Sequence, residues 1–78
     1  MSVTFTDDEL ITWEAYASGG RFGLPTRPKV VFNCLSDPGR RPRYVEFSGG
    51  DEAKAEELVH EYSDATLKQM LRESRELE

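Results

Sequence analysis

The sequence predicts a small α+β domain in which an N-terminal helix, an antiparallel β-hairpin and a C-terminal helix follow one another. Three observations predict this order: a helix-capping pattern at residues 6–9, a β-branched and aromatic run at residues 29–36, and an apolar stripe with helical spacing after Asp51. The chain has 78 residues, of which 37% are hydrophobic and 32% charged. This length and composition are those of one ordinary globular domain, spanning residues 1–78.

The first helix is predicted over residues 7–18. The sequence TDDE at residues 6–9 matches a capping box, and its acidic residues favour the positive end of a helix dipole. Leu10, Trp13 and Ala17 then recur on one side of a helix with 3.6 residues per turn.

The hairpin is predicted from two strands, at residues 29–36 and 44–48. The first strand has apolar residues on both faces, and the turn between the strands contains Asp37, Pro38 and Gly39. Two strands alone make a marginal sheet. We therefore expect either a short third strand at residues 2–5 or a partner chain to complete it.

The C-terminal helix is predicted to begin after Asp51 as its N-cap and to break near Ser63-Asp64. The break is predicted because the apolar positions after Tyr62 lie on a different side of the helix from those before it. One straight helix would therefore present its apolar residues in two different directions.

The residues after this break form what we call the C-terminal apolar stripe, Leu67, Met70 and Leu71. Two interpretations remain open from the sequence. In one, the bend tucks the stripe against Trp13 or Phe22; in the other, the helix is continuous and the stripe packs on a second subunit.

Catalytic chemistry has little support in this chain, which contains one histidine and one cysteine. His60 is predicted to lie in solvent and Cys34 to be buried in a strand, where a thiol is unreactive. One His and one Cys cannot form a structural zinc site, and neither a calcium-loop nor a nucleotide-binding glycine motif is present. The sequence thus predicts no catalytic, metal or cofactor site and no small-molecule substrate.

The location predicted from composition is the cytosol. A single cysteine cannot form an internal disulfide, and small secreted domains usually need disulfides or a metal. The N-terminal residues lack the basic region and apolar run of a signal peptide, and no segment approaches the roughly 18 apolar residues of a membrane span. We therefore expect no membrane partner.

Charge is sorted along the chain, and this is the only feature that points to partners. The whole chain has a net charge of −5, yet residues 21–44 contain six basic residues and only one acidic residue, Asp37. These basic residues are Arg21, Arg27, Lys29, Arg40, Arg41 and Arg43. They could pair with the chain's own acidic residues, dock on an acidic protein surface, or bind a phosphate backbone.

The sequence therefore predicts a non-enzymatic cytosolic binding module that contacts a protein partner or a second copy of itself. The predicted contacts are the hairpin arginines Arg40, Arg41 and Arg43, the basic residues Arg21, Arg27 and Lys29 that precede them, Tyr44, and the C-terminal apolar stripe. An alternative is a weak nucleic-acid binder, in which Arg40, Arg41 and Arg43 grip phosphates and Tyr44 stacks on a base.

Overall fold

The computed structural model describes residues 2–19, 28–37, 39–47 and 51–76. Its architecture is a five-stranded antiparallel sheet covered on one face by two helices. The elements in chain order are β1 (Val3–Thr6), β2 (Thr12–Ser18), β3 (Lys29–Cys34), β4 (Arg43–Glu46), α1 (Glu52–Glu61), α2 (Asp64–Glu73) and β5 (Arg75–Glu76). The strands lie in the sheet in the order β1-β2-β3-β4-β5, so each pairs with its neighbours in the sequence of strands.

The predicted N-terminal helix over residues 7–18 is wrong, and so is the helix-hairpin-helix order built on it. Residues 12–18 form β2, which pairs with β1 on one side and β3 on the other. Trp13 and Ala15 point into the core while Glu14 and Tyr16 alternate to the other face, which is the period of a strand. Leu10, which the helical stripe requires in the core, is 83% exposed.

A tight turn takes the place of the predicted helix cap. The Asp7 amide donates to the carbonyl of Ile11 at 2.9 Å, and the Leu10 amide donates to the carbonyl of Asp7 at 3.0 Å. These bonds close a three-residue hairpin loop whose last residue, Leu10, has φ = 64°. The acidic residues that match a capping box therefore belong to a β-turn. An Asp side chain can accept hydrogen bonds from backbone amides both at the start of a helix and in a turn, so the same residues are typical of either.

The remaining predictions rest on local signals and fare better. A short N-terminal strand is present, but it pairs with β2, the segment predicted as a helix, and not with the hairpin. The antiparallel hairpin is present: β3 lies within residues 29–36, and β4 begins at Arg43, one residue before the predicted strand at residues 44–48. In the turn between them, the Arg40 amide donates to the carbonyl of Asp37 at 3.0 Å. Pro38 lies outside the described residues. The two-residue β5, which follows the helices and pairs with β4, has no signal that we read in the sequence.

The break between the two helices lies where the sequence predicts it. Asp51 caps α1 by accepting from the Lys54 amide at 2.9 Å, and Ser63 caps α2 by accepting from the Thr66 amide at 3.2 Å. A new cap at Ser63 lets α2 leave the direction of α1, so the two apolar faces, which diverge in sequence, can reach the same sheet.

One core lies between the sheet and the helices. Its members are Phe5, Trp13, Ala15, Val30, Phe32, Cys34, Val59, Leu67 and Leu71. The rings of Phe5 and Phe32 meet edge to face with centroids 6.0 Å apart, a favourable aromatic geometry. Within the described part of the chain, neither helix combines the length and the apolar character needed to cross a membrane.

The backbone of Leu10 generates a prediction about stability. A branched residue held at positive φ carries strain of about 1 kcal/mol, whereas Asn tolerates this conformation. Because the Leu10 side chain is almost fully exposed, Leu10→Asn removes little packing. We expect it to raise the melting temperature by roughly 4 °C in thermal unfolding followed by circular dichroism.

The matched control is Leu35→Asn, which changes another exposed leucine. Among the described residues other than glycine, only Leu10 has positive φ, so Leu35→Asn has no strain to relieve. A melting temperature that falls equally in both variants would contradict this account of the turn.

Candidate functional site

A groove opens where the β1–β2 turn, the β3–β4 turn and α2 meet. Its main cavity has a volume of about 360 Å³ and is lined by Asp7, Asp8, Glu9, Trp13, Arg40, Arg43, Lys68, Leu71 and Arg72. A second cavity of about 270 Å³ shares Trp13, Arg40 and Arg43 with the first and extends to Gly39, Arg41 and Glu76. We call the two together the basic groove, after its cationic members Arg40, Arg41, Arg43, Lys68 and Arg72.

The floor of the basic groove is built by Trp13 and the turn before it. The Trp13 indole N–H donates to Asp7 Oδ2 at 2.9 Å, which fixes the ring. Asp7 Oδ1 accepts from the amides of Glu9 and Ile11, each at 2.9 Å. Both oxygens of this carboxylate are therefore engaged within the turn.

These contacts alter the acidity of Asp7. Burial alone would raise its pKa, but the hydrogen bonds from the Ile11 amide, the Trp13 indole and the Glu9 amide, with the nearby charge of Arg40, stabilise the ionised form more strongly. The pKa of Asp7 is accordingly lowered from its ordinary value of 3.8.

Arg43 is held in place by the end of α2. Its Nε donates to Ser74 Oγ at 2.7 Å and its Nη2 donates to the Ser74 carbonyl at 2.6 Å. Ser74 is buried, and its hydroxyl also donates to the Leu71 carbonyl. A guanidinium has five N–H donors, so this fork fixes the orientation of Arg43 and leaves further donors in the groove.

Arg40 and Arg41 form the hairpin side of the groove and are exposed. Arg40 Nε lies 3.5 Å from Asp37 Oδ2, with both side chains about half exposed, an arrangement that contributes little to stability. Arg41 makes no hydrogen bond or ion pair with any residue that the structure describes. The hairpin guanidinium groups are thus not each neutralised by a carboxylate in the described part of the chain.

Lys68 and Arg72 form the helical side of the groove, one turn apart on α2. Lys68 Nζ lies 3.2 Å from Asp8 Oδ1, and Arg72 Nη1 lies 3.4 Å from Asp8 Oδ2. Arg72 Nη2 also donates to Gln69 Oε1 at 3.1 Å. Sequence reasoning missed these two cations, and their i, i+4 spacing, each directly after a core leucine of α2, is the signal that could have identified them.

Acidic side chains line the groove as well. The two cavities hold five cationic side chains against four acidic ones, Asp7, Asp8, Glu9 and Glu76. Asp7 is engaged by the turn and Asp8 by α2, as described above. The groove therefore favours an anion mainly on its hairpin side.

The other predicted contact residues lie elsewhere. Tyr44 and Lys29 lie on the sheet face opposite the helices, where Lys29 Nζ stands 5.9 Å from the centre of the Tyr44 ring. Strand alternation puts Tyr44 on the other side of β4 from its neighbour Arg43. Arg21 and Arg27 lie outside the described residues.

The C-terminal apolar stripe packs within the chain. Leu67 and Leu71 are buried in the core, and Met70 is half-buried against it. Of the two interpretations left open by the sequence, the structure has the one with the bend at Ser63. Leu71 reaches the floor of the groove beside Trp13. Phe22, the other residue considered there, lies outside the described residues.

Residues with reactive side chains do not gather in the described part of the chain. Cys34 is a buried free thiol in β3, as predicted. His60 is exposed, also as predicted, with its Nε2 3.1 Å from Glu56 Oε1. Among the residues that the structure describes, no three His, Cys, Asp or Glu side chains are grouped so that they could hold a metal ion.

Comparisons of this chain with protein-family models, with curated proteins and with solved structures found no match.

The lowered pKa of Asp7 generates a prediction about pH. An acid whose pKa is lower in the folded than in the unfolded state stabilises the fold above its ordinary pKa and loses that effect as pH falls through the folded value. Asp7→Asn removes the charge that titrates. The amide nitrogen of the new side chain also cannot accept the hydrogen bond that Asp7 Oδ2 accepts from the Trp13 indole. We expect the variant to be less stable than wild type at about pH 6, with the difference shrinking below about pH 4.

Urea unfolding followed by Trp13 fluorescence measures this difference across the pH range. Glu9→Gln is the control, because it neutralises an adjacent carboxylate whose side chain forms no part of the turn's hydrogen bonds. A stability difference between wild type and Asp7→Asn that is the same at about pH 6 and about pH 3 would contradict the assignment.

Proposed function

We propose that this protein is a small non-enzymatic binding module that docks an acidic segment of a protein partner in the basic groove. The observation that carries the proposal is the gathering of cationic side chains from a β-turn, a strand and a helix around the ring of Trp13. These residues are distant in sequence, and the fold gathers five cations beside four carboxylates, whereas the whole chain has a net charge of −5.

Arginine chemistry supports a carboxylate as the group that binds. The planar guanidinium matches a carboxylate with two parallel hydrogen bonds, and a guanidinium fixed in advance loses less entropy when it binds. Arg43 is fixed in this way by its two bonds to Ser74. Arg41, with no partner among the described residues, is available on the same side of the groove.

The size of the groove supports a peptide segment as the ligand. A cavity of about 360 Å³ accommodates one or two side chains, and the buried side chains of Trp13 and Leu71 lie beneath it. An acidic stretch of a second copy of this chain is chemically equivalent to a foreign acidic segment. Sedimentation over a concentration series distinguishes them, because a chain that stays monomeric throughout leaves a foreign partner.

The nucleic-acid alternative has weaker support. It needs Tyr44 beside the hairpin arginines to form a stacking platform, whereas Tyr44 projects from the opposite face of β4 to Arg43. Arg40 and Arg41 alone could contact phosphates, so a single-stranded oligonucleotide belongs in the binding test.

A cytosolic location is part of the same proposal. It is supported by the single cysteine of the chain, which is a buried free thiol.

Binding is measured by Trp13 fluorescence, because Trp13 is the only tryptophan and forms the groove floor. A glutamate-rich peptide of about ten residues is titrated at low and at physiological salt, beside a single-stranded oligonucleotide of equal charge. We expect the peptide to change the fluorescence, with an affinity that falls as salt rises. No response to the peptide at low salt would overturn the proposal, and a response to the oligonucleotide alone would replace it with the alternative.

Arg41→Gln tests which cation binds the peptide. We expect it to weaken peptide binding by about two- to fivefold, the size of one exposed ion pair. The matched control is Lys54→Gln, which removes one positive charge from an exposed residue of α1 that does not line the groove. Equal losses in the two variants would mean that only net charge matters, and would contradict binding in the groove.

A further inference from the structure

The groove already holds a carboxylate that belongs to the chain. Asp8, in the β1–β2 turn, lies with one oxygen 3.2 Å from Lys68 Nζ and the other 3.4 Å from Arg72 Nη1. Each oxygen thus faces one cation of α2, which is the arrangement that an incoming carboxylate would adopt. The position of Asp8 marks where an acidic ligand can bind on the helical side of the groove.

Asp8 can leave this position without disturbing the turn that carries it. The hydrogen bonds that define the turn belong to the neighbouring residue, Asp7, through its backbone and both of its carboxylate oxygens. Among the residues that the structure describes, the hydrogen bonds and ion pairs of the Asp8 side chain go only to α2. The two adjacent aspartates therefore have separate roles, one in building the turn and the other in contacting the helix.

The contacts of Asp8 are also of the kind that exchange easily. Its side chain is 69% exposed and that of Arg72 is 61% exposed. Ion pairs this open to water are weak, because solvent and salt compete for both charges. A ligand that is also bound elsewhere in the groove can therefore replace Asp8 with one of its own carboxylates at a small cost in free energy.

The two cations remain correctly placed when Asp8 leaves. Lys68 and Arg72 stand one helical turn apart on the same side of α2. Arg72 is additionally held by Gln69, whose Oε1 accepts from Nη2 at 3.1 Å. Lys68 is the less exposed of the two, with 30% of its side chain accessible.

We propose that Lys68 and Arg72 form a second carboxylate subsite, which Asp8 occupies in the free protein and from which an acidic ligand displaces it. This inference rests on the proposed function and deepens it. The ligand is an acidic peptide with at least two carboxylates, one for the hairpin side at Arg40 and Arg41 and one for the helical side. Asp8 acts as an internal competitor that lowers affinity for ligands with a single carboxylate.

Asp8→Asn tests the competition, because it keeps the shape of the side chain and removes its charge. Peptide affinity is measured by Trp13 fluorescence, with thermal unfolding to verify that the variants are folded. We expect roughly a fivefold gain in affinity for a glutamate-rich peptide, the size of one or two exposed ion pairs released from competition.

Glu61→Gln is the matched control. Glu61 is an exposed acidic residue at the end of α1 and lines neither cavity of the basic groove. We expect it to raise affinity less than twofold, through net charge alone. Equal gains in the two variants, or no gain in Asp8→Asn, would overturn the inference.

A double-mutant cycle measures the coupling between Asp8 and Lys68, which a change in net charge alone does not produce. In the Lys68→Gln background the gain from Asp8→Asn should shrink, because the two residues act on the same subsite. An undiminished gain would contradict the subsite.

The failure of this inference is distinguishable from the failure of the proposed function. If wild type binds the peptide and the Asp8→Asn gain is absent, only the subsite fails. If no variant binds the peptide, both fail. If Asp8→Asn raises affinity for a single-stranded oligonucleotide and not for the peptide, the occupant is a phosphate backbone and the carboxylate assignment is overturned.

Discussion

The antiparallel pairing of β2 with both of its neighbours is the constraint on which the rest of the structure depends. It extends residues 12–18 into a strand and thereby buries Trp13 in the core while its indole N–H reaches Asp7. The same strand joins the short β1 to the β3–β4 hairpin. The hairpin, which would be marginally stable alone, thereby becomes part of a five-stranded sheet. Trp13 thus belongs both to the core and to the floor of the groove.

The groove follows from the way the helices return to that sheet. A fresh N-cap at Ser63 turns α2 so that Leu67 and Leu71 enter the core. This rotation places Lys68 and Arg72 at the surface next to the two turns. The end of α2 is then fastened to β4 through Ser74 and Arg43, which aligns the helical cations with those of the hairpin.

Local signals predicted part of this structure and long-range pairing decided the remainder. The caps at Asp51 and Ser63 could be read directly, because a cap depends on residues three positions away. Residues 12–18 could not, since Trp13 and Ala17 satisfy a helical period while alternate residues satisfy a strand, and only pairing with β1 and β3 selects between them. The hairpin arginines were predicted as contacts, but their neighbours Lys68 and Arg72 come near only in three dimensions. The position of Tyr44, on the other face from Arg43, was available from strand alternation and was overlooked.

We propose that the basic groove is a binding surface, because Arg41 has no hydrogen bond or ion pair among the residues that the structure describes. The most direct test of this claim is a titration of ¹⁵N-labelled protein with a glutamate-rich peptide, followed by two-dimensional NMR. The account predicts saturable shifts at the Trp13 indole N–H and at the amides of Arg40, Arg41, Lys68 and Arg72, with the opposite sheet face around Tyr16 unchanged. Shifts confined to that opposite face, or no shifts at low salt, would contradict it.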